Sequence, residues 1–272
     1  MTMDRQTTLR AMSCTRSIKL GHFLCEFDTP GIGHILKAAG CDFAMFDMEH
    51  SGFGFDTVKN VLRYMEAALL PCMVRVPSGA YDHVARACDL GAEGIVVPNV
   101  RTAAEARQIV DCMKYSPQGN RGVSLQIAHD RYRPAPVVQA LADANARTTF
   151  FPLIESEAGV ENADAIAAID GVDCLFVGHF DLSVSLGIPG DFAHPKFAAA
   201  IGAIIAAGRR HGKSLGRNVP NVDEGRRAFE QGFDFLTYSG DVWIYRAAIA
   251  DGVSRLREVC VGSAAAPRNQ SG

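Results

Sequence analysis

Glu155 and Asp181 each close an apolar run, Phe-Phe-Pro-Leu-Ile before the first and Leu-Phe-Val-Gly-His-Phe before the second. A carboxylate at the end of a buried strand is costly without a partner. Two hard oxygen donors on neighbouring strand ends suit a divalent cation such as Mg²⁺, Mn²⁺ or Co²⁺. Ion pairs with arginine are the other way to satisfy them, and position alone leaves both open. Further along the same reading stand His50, behind Asp47-Met48-Glu49, and Arg75, inside an apolar strand. Carboxylates, a histidine and a guanidinium facing one cleft make a metal-assisted acid/base site.

Such a cleft needs strands that end together. Short apolar segments at Lys19–Cys25, Asp42–Met48, Pro71–Val76, Gly94–Pro98, Thr149–Ile154, Asp173–Gly178, Lys213–Arg217 and Phe233–Tyr238 lack strict alternation. That pattern marks strands buried on both faces. Amphipathic stretches separate them: Gly33–Ala39, Phe55–Ala68, Ala80–Leu90, Ala103–Lys114, Val137–Ala146, Gly159–Ala168, Pro195–His211 and Val222–Gln231, with Asp241–Val259 last. Thr102 before Ala-Ala-Glu forms a capping box, and Gly91 ends a helix. Eight evenly spaced β-α units predict a single-domain α/β fold, a (β/α)₈ TIM barrel, over a doubly wound open sheet. The expected boundaries are an N-terminal extension at 1–16, the barrel at 17–260 and a flexible tail at 261–272. The long connection Ser116–Pro136 is expected over the barrel mouth.

In a barrel the chemistry collects at the C-terminal strand ends. Besides the residues above, this gathers Glu26, Asp28, Glu49, Asn99, Arg217, Asn218, Ser239 and Asp241. The six lysines fall at strand starts or on helices, which argues against Schiff-base chemistry. Gly31-Ile32-Gly33 lacks the third glycine of a dinucleotide fingerprint.

Of 272 residues, 48% are hydrophobic and 21% charged, enough for a large core. A net charge of −3 from interspersed residues excludes the basic footprint of a nucleic-acid binder. The eight cysteines form no C-x-x-C pair and read as reduced thiols. With no signal-peptide core at the start and no membrane-length apolar run, a soluble cytoplasmic protein is expected.

Several segments together are more specific than any one. Asp47-Met48-Glu49-His50, Val74-Arg75-Val76-Pro77, Asp89-Leu90-Gly91-Ala92-Glu93-Gly94-Ile95-Val96-Val97-Pro98, Gly119-Asn120-Arg121-Gly122-Val123, Ile154-Glu155 and Gly178-His179-Phe180-Asp181-Leu182-Ser183 resemble the HpcH/HpaI aldolases. These are class II, metal-dependent pyruvate aldolases such as 4-hydroxy-2-oxoheptanedioate aldolase, and the resemblance runs from about residue 17 to 258. It implies a lyase that reversibly cleaves a 4-hydroxy-2-oxo acid to pyruvate, or a related 2-oxo acid, and an aldehyde, through an enolate at a divalent metal. Glu155 and Asp181 become the metal ligands, His50 the base, and Arg75 the stabiliser of the transition state and a substrate contact. Asp89 becomes the partner of the histidine, and the backbone at Phe180, beside Asp181, the seat of the oxo-acid carboxylate. The family also implies a homo-oligomer, trimer or hexamer, with C-terminal helices exchanged between subunits.

Two departures touch the oxo-acid end. Leu153 stands where the family has Gln, and His179-Phe180 replaces its Pro-Ala before the metal Asp. They leave open a related enolate enzyme, decarboxylating or condensing, and a non-catalytic barrel used for assembly or binding. Asp89 also sits awkwardly, at the far end of its helix from His50. Either it reaches a neighbouring subunit's histidine or its helix is shorter than Ala80–Leu90; Asp89 keeps the role that the resemblance implies, and Asp47, three residues before His50, stands as a further support for the histidine.

Overall fold

The computed structural model describes residues 8–264. Eight parallel strands follow one another around a closed barrel: β1 (Lys19–Leu24), β2 (Phe43–Asp47), β3 (Cys72–Arg75), β4 (Gly94–Val97), β5 (Thr149–Ile154), β6 (Cys174–Val177), β7 (Ser214–Val219) and β8 (Phe235–Gly240). Side chains alternate between the barrel interior and the surrounding helix layer. Phe43, Met45, Met73, Val96, Phe151, Leu153, Phe176 and Phe235 fill the interior. Phe46, Val74, Ile95, Leu175, Leu215 and Leu236 pack outward against the helices. Gly216 leaves space for the Phe176 ring, which a Cβ there would strike.

Register places the chemistry. Asp47 lies directly beside Arg75 across the β2–β3 pairing, and Leu153 beside Phe176 across β5–β6. Glu155, two residues beyond Leu153, therefore points into the barrel at its mouth.

The helix layer follows expectation, with informative exceptions. The capping box at Thr102 and Glu105 forms in full. The helix expected at Gly159–Ala168 is two short ones, Glu157–Glu161 and Ala163–Ala167, with Asn162 between them bonding back to the Ala158 carbonyl at 2.9 Å. A helix absent from the sequence reading, His179–Ser185, opens directly from β6 and carries Asp181. The connection Ser116–Pro136 does not cover the mouth. It leaves the base, where Arg121 pairs with Asp89, and lies along the outer flank of helix Tyr81–Asp89, Gly122 N–H reaching the Tyr81 hydroxyl at 2.8 Å. It returns to the base where Arg147 Nη1 donates to the His129 carbonyl at 2.6 Å.

Within the stretch assigned to an N-terminal extension, helix Leu9–Ser13 inserts Leu9 into the barrel interior from below. Ion pairs of Arg10 with Asp173 and Arg16 with Asp234 tie it down. Asp234, 2% exposed, also accepts from Lys19 Nζ at 2.7 Å, Ser214 Oγ at 3.0 Å and Leu215 N–H at 2.9 Å. At the other end, helix Asp241–Ala264 runs past the boundary drawn at 260, and residues 265–272 of the expected tail lie outside the described residues.

Removing Asp234 strands the buried ammonium of Lys19. The expected cost of Asp234→Ala is about 3–5 kcal/mol, measured by urea unfolding; a loss below about 1 kcal/mol would reduce the network to a surface-type contact.

Candidate active site

Four carboxylates meet one guanidinium at the mouth. Arg75 grips Asp47 with two parallel bonds, Nε to Oδ1 at 2.6 Å and Nη2 to Oδ2 at 2.8 Å, and holds Glu49 Oε2 at 3.2 Å from Nη1. Asp47 is wholly buried and also accepts the Glu49 and His50 amides at 3.0 and 3.2 Å. Burial works against the charge of Arg75, but Asp47, Glu49 and Glu155 raise its pKa. The fork is fixed in one orientation, as a bidentate pair requires.

Glu155 is the strained member. The residue is 8% exposed, and its carboxylate accepts one protein hydrogen bond, from Asn99 N–H at 2.7 Å. Asn99 adopts a left-handed backbone, φ 56°, a conformation Asn tolerates. Gly178 leaves room for the carboxylate; a Cβ there would collide with Oε2. Burial first, then the charges of Glu49 and Asp181, push the Glu155 carboxyl up to about 8, against the pull of Asn99 and Arg75. Burial likewise raises Glu49, whose Oε2 lacks a well-formed hydrogen bond. Asp181, exposed at the first turn of helix His179–Ser185, completes the group.

Such a donor set fits a divalent cation. Buried carboxylates that repel each other gain from an ion what the protein does not supply. Among the described residues no three His, Cys, Asp or Glu side chains gather into a complete cage. Two carboxylates leave the other positions of a hard cation to water and substrate oxygens.

The remaining residues sort by direction. His50 is exposed at the rim, its Nε2 3.8 Å from Glu49 Oε2. Asp47 supports its backbone amide and not its ring. Asp89 ends its helix at the base, paired to Arg121, and does not meet His50 within one chain. Arg217 is not a mouth residue: it points outward with Leu215 and Val219, its Cζ 5.7 Å from the Phe233 ring. Asn218 points inward instead, donating to the Ser239 carbonyl at 2.9 Å. Asp241 is a local anchor, accepting the amides of Cys25, Glu26 and Phe27. Phe53 stacks on Phe46 at 4.4 Å and Phe55 lies under Arg86, so both rings are engaged in packing. Lys114 is a buried amine that burial lowers to about 8, but it lies at the base, bonded to the Asn145 and Thr148 carbonyls. Burial and then Arg217 lower His179 to about 4, and it packs against Phe180 and Phe192.

The sequence matches the model of the HpcH/HpaI aldolase/citrate lyase family over residues 22–247. The chain belongs to that family. It is 33% identical over 239 residues to 5-keto-4-deoxy-D-glucarate aldolase of Klebsiella pneumoniae subsp. pneumoniae, covering 88% of this chain and 92% of the relative. Its structure superposes on the HpcH/HpaI aldolase of Desulfitobacterium hafniense DCB-2 with a TM-score of 0.87 at 31% identity, covering 92% and 97% of the two chains. Citrate synthase SbnG is similar at 26% identity and a TM-score of 0.82, with 92% and 98% covered. As a member, the chain is a carbon–carbon lyase of the class II aldolase type. Glu49, Asn99 and Gly178 are the mouth residues whose roles the sequence reading did not assign.

A carboxyl held near 8 in the fold and near 4.5 when unfolded favours the folded chain at low pH and loses that contribution as pH rises through about 8. Chelator-treated protein should therefore lose thermal stability between about pH 5 and 8.5, and Glu155→Gln should flatten the loss. Added Mg²⁺ or Mn²⁺ should restore more stability at the alkaline end. Parallel melting curves of wild type and variant that do not differ in pH dependence would reject the placement of this titration at Glu155.

Proposed function

We propose that this lyase cleaves a 4-hydroxy-2-oxo acid to pyruvate and an aldehyde, with a divalent cation on Glu155 and Asp181. The observation that carries the reading is Glu155: a buried carboxylate at the mouth whose one protein donor is the Asn99 amide. When bound, the cation supplies Lewis acidity toward the 2-oxo group. The chain's own residues do the rest. Arg75, held rigid by Asp47, presents donors to the charge that grows on the enolate oxygen as the C3–C4 bond breaks. His50, at the rim beside Glu49, takes the C4 hydroxyl proton directly or through one water. The backbone at Phe180 receives the oxo-acid carboxylate next to Asp181. Asp89, facing the base of its own barrel, is assigned to the histidine of a neighbouring chain.

A second reading, condensation or decarboxylation of a larger oxo acid, is favoured by Leu153. It is 3% exposed, belongs to the apolar interior below Glu155, and offers the substrate no hydrogen bond. The likeness to citrate synthase SbnG points the same way.

The assembly proposed is a homo-oligomer, trimer or hexamer, built by helix exchange. Every residue from Trp243 to Cys260 on the last helix is exposed, Ile249, Val253 and Leu256 among them. The outer face of the β8–β1 seam, where an eighth helix belongs, is an apolar groove of about 480 Å³ lined by Ile18, Leu20, Val222 and Phe229. A neighbour's helix matches both. No described helix is long and apolar enough to cross a membrane, and the cysteines are free, which supports a reducing cytoplasm.

Pyruvate release from a panel of 4-hydroxy-2-oxo acids, 5-keto-4-deoxy-D-glucarate included, should require a divalent cation and stop with chelator. Oxaloacetate decarboxylation, assayed alongside, is the arm that supports the second reading. Glu155→Ala and Asp181→Ala should each cost at least about 10²-fold in turnover with the far-UV spectrum unchanged; wild-type rates would refute the ligand assignment.

Arg75→Lys keeps the charge and loses the fork. Its kcat should fall by about 10²-fold, and a near-normal rate removes Arg75 from the chemistry.

Light scattering should report more than one chain per particle. Val253→Asp combined with Leu256→Asp should reduce it toward the monomer, whereas an unchanged mass would exclude the helix from the interface.

A further inference from the structure

Beside Arg75 the mouth carries an aromatic stack. The Arg75 guanidinium stands 5.2 Å from the centroid of the Phe23 ring, and Phe23 stacks in turn on Trp243, the ring centroids 6.0 Å apart and the planes within 4°. That separation is the one aromatic pairs prefer.

Two neighbouring strand ends build the stack. Phe23 faces inward near the end of β1 and is 7% exposed, while Trp243 lies in the first turn of the helix that follows β8. Gly240, the last residue of β8, gives both rings their room: a Cβ there would stand 2.7 Å from the Trp243 ring and 3.2 Å from Phe23. Trp243 nevertheless keeps 49% of its surface exposed. Phe27 and Tyr245, edge to face at 5.5 Å, continue the apolar surface along the same β1–β8 seam. Val253 and Leu256, the subunit contacts tested above, lie more than two turns further along the helix.

Charge on this side of the mouth is negative. Glu26 and Asp28 follow β1, and Asp241 is bound by the amides of Cys25, Glu26 and Phe27. No Lys or Arg stands between Leu20 and Leu36 or between Phe235 and Tyr245. Arg75 itself is engaged by Asp47 and Glu49.

We propose that Trp243, backed by Phe23, is the specificity-determining wall of the aldehyde pocket. The aldehyde it selects is neutral and carries a flat apolar group, aromatic or conjugated, and does not end in a carboxylate. This inference rests on the aldolase reaction proposed above. In that reaction the oxo acid lies over Glu155 and Asp181, after β5 and β6, and the C4 hydroxyl meets His50, after β2. The aldehyde half therefore extends toward the β1–β2 side of the ring of strands, where Phe23 and Trp243 stand. A flat ring laid on the exposed indole removes apolar surface from water. A carboxylate in the same place would share the rim with Glu26 and Asp28.

Trp243 is the one tryptophan in the chain, so its fluorescence reads the site without any variant. 4-Nitrobenzyl alcohol, flat and unreactive, should quench it saturably; quenching that only rises linearly, as for random collision, would overturn the proposal. In the condensing direction, pyruvate and benzaldehyde join to 4-hydroxy-2-oxo-4-phenylbutanoate with every atom kept. With Mg²⁺ present, kcat/KM for benzaldehyde should exceed that for succinic semialdehyde by at least about tenfold. Trp243→Ala should reduce this ratio by about tenfold, and Trp243→Phe, which keeps a flat ring, should restore most of it. If the alanine variant fails to fold, Trp243→Leu takes its place. A ratio that favours the semialdehyde, or one that the variants leave unmoved, rejects the wall. Exchange of pyruvate C3 protons in deuterium oxide tells the two failures apart: exchange without aldehyde preference rejects Trp243 alone, and no exchange overturns the reaction and the wall together.

Discussion

The mouth of this barrel is governed by an unequal match of charge: Asp47, Glu49, Glu155 and Asp181 against Arg75. Asp47 takes two guanidinium bonds, so the surplus falls on the other three carboxylates. A low-dielectric site magnifies that surplus. The protein could have removed it by replacing Glu155 with a neutral residue; it instead bends Asn99 into a left-handed turn and keeps a glycine at 178 to make room for it. Strain and clearance of this kind collect where a site requires them. The charge left over is the one that the proposed divalent ion would remove.

Rigidity follows from the same pairing. Asp47 and Arg75 are register partners on adjacent strands, so neither can move without breaking sheet pairing. The loop after β2 is bound to that pair through the Glu49 and His50 amides, which fixes His50 at the rim at little entropic cost. Arg75 is thereby preorganised, the condition under which a donor contributes most to a developing oxyanion.

Much of this was legible in the sequence because parallel strands buried on both faces declare themselves by composition, and polar residues at their ends stand out. Glu155, Arg75 and the β2 tip were found that way. Direction was harder. Strand β7 continues two residues beyond its expected end, and that extension puts Asn218 inside and turns Arg217 into the helix layer. Helix His179–Ser185 went unseen because seven residues carry too little periodicity. The loop Ser116–Pro136 was expected over the mouth on length alone, yet its position is decided by Arg121, whose partner Asp89 is fixed at the base. Asp89 shows what spacing leaves open: within one chain its side chain lies at the base beside Arg121, so a histidine partner has to come from a neighbouring chain.

The two ends of the barrel answer the cost of buried charge differently. At the base Asp234 is satisfied four times over, by Arg16, Lys19, Ser214 and the Leu215 amide, and Leu9 seals the interior beneath it. Such closure suits a region whose task is to stay folded. At the mouth, the satisfaction of Glu155 stops at one amide. Completing it with protein donors would lower the carboxyl's pKa and stabilise the empty barrel, but would also occupy the oxygens that a cation needs. In the proposed metal-dependent reaction the under-satisfied state is the functional one, and the closed base is what lets the fold carry it.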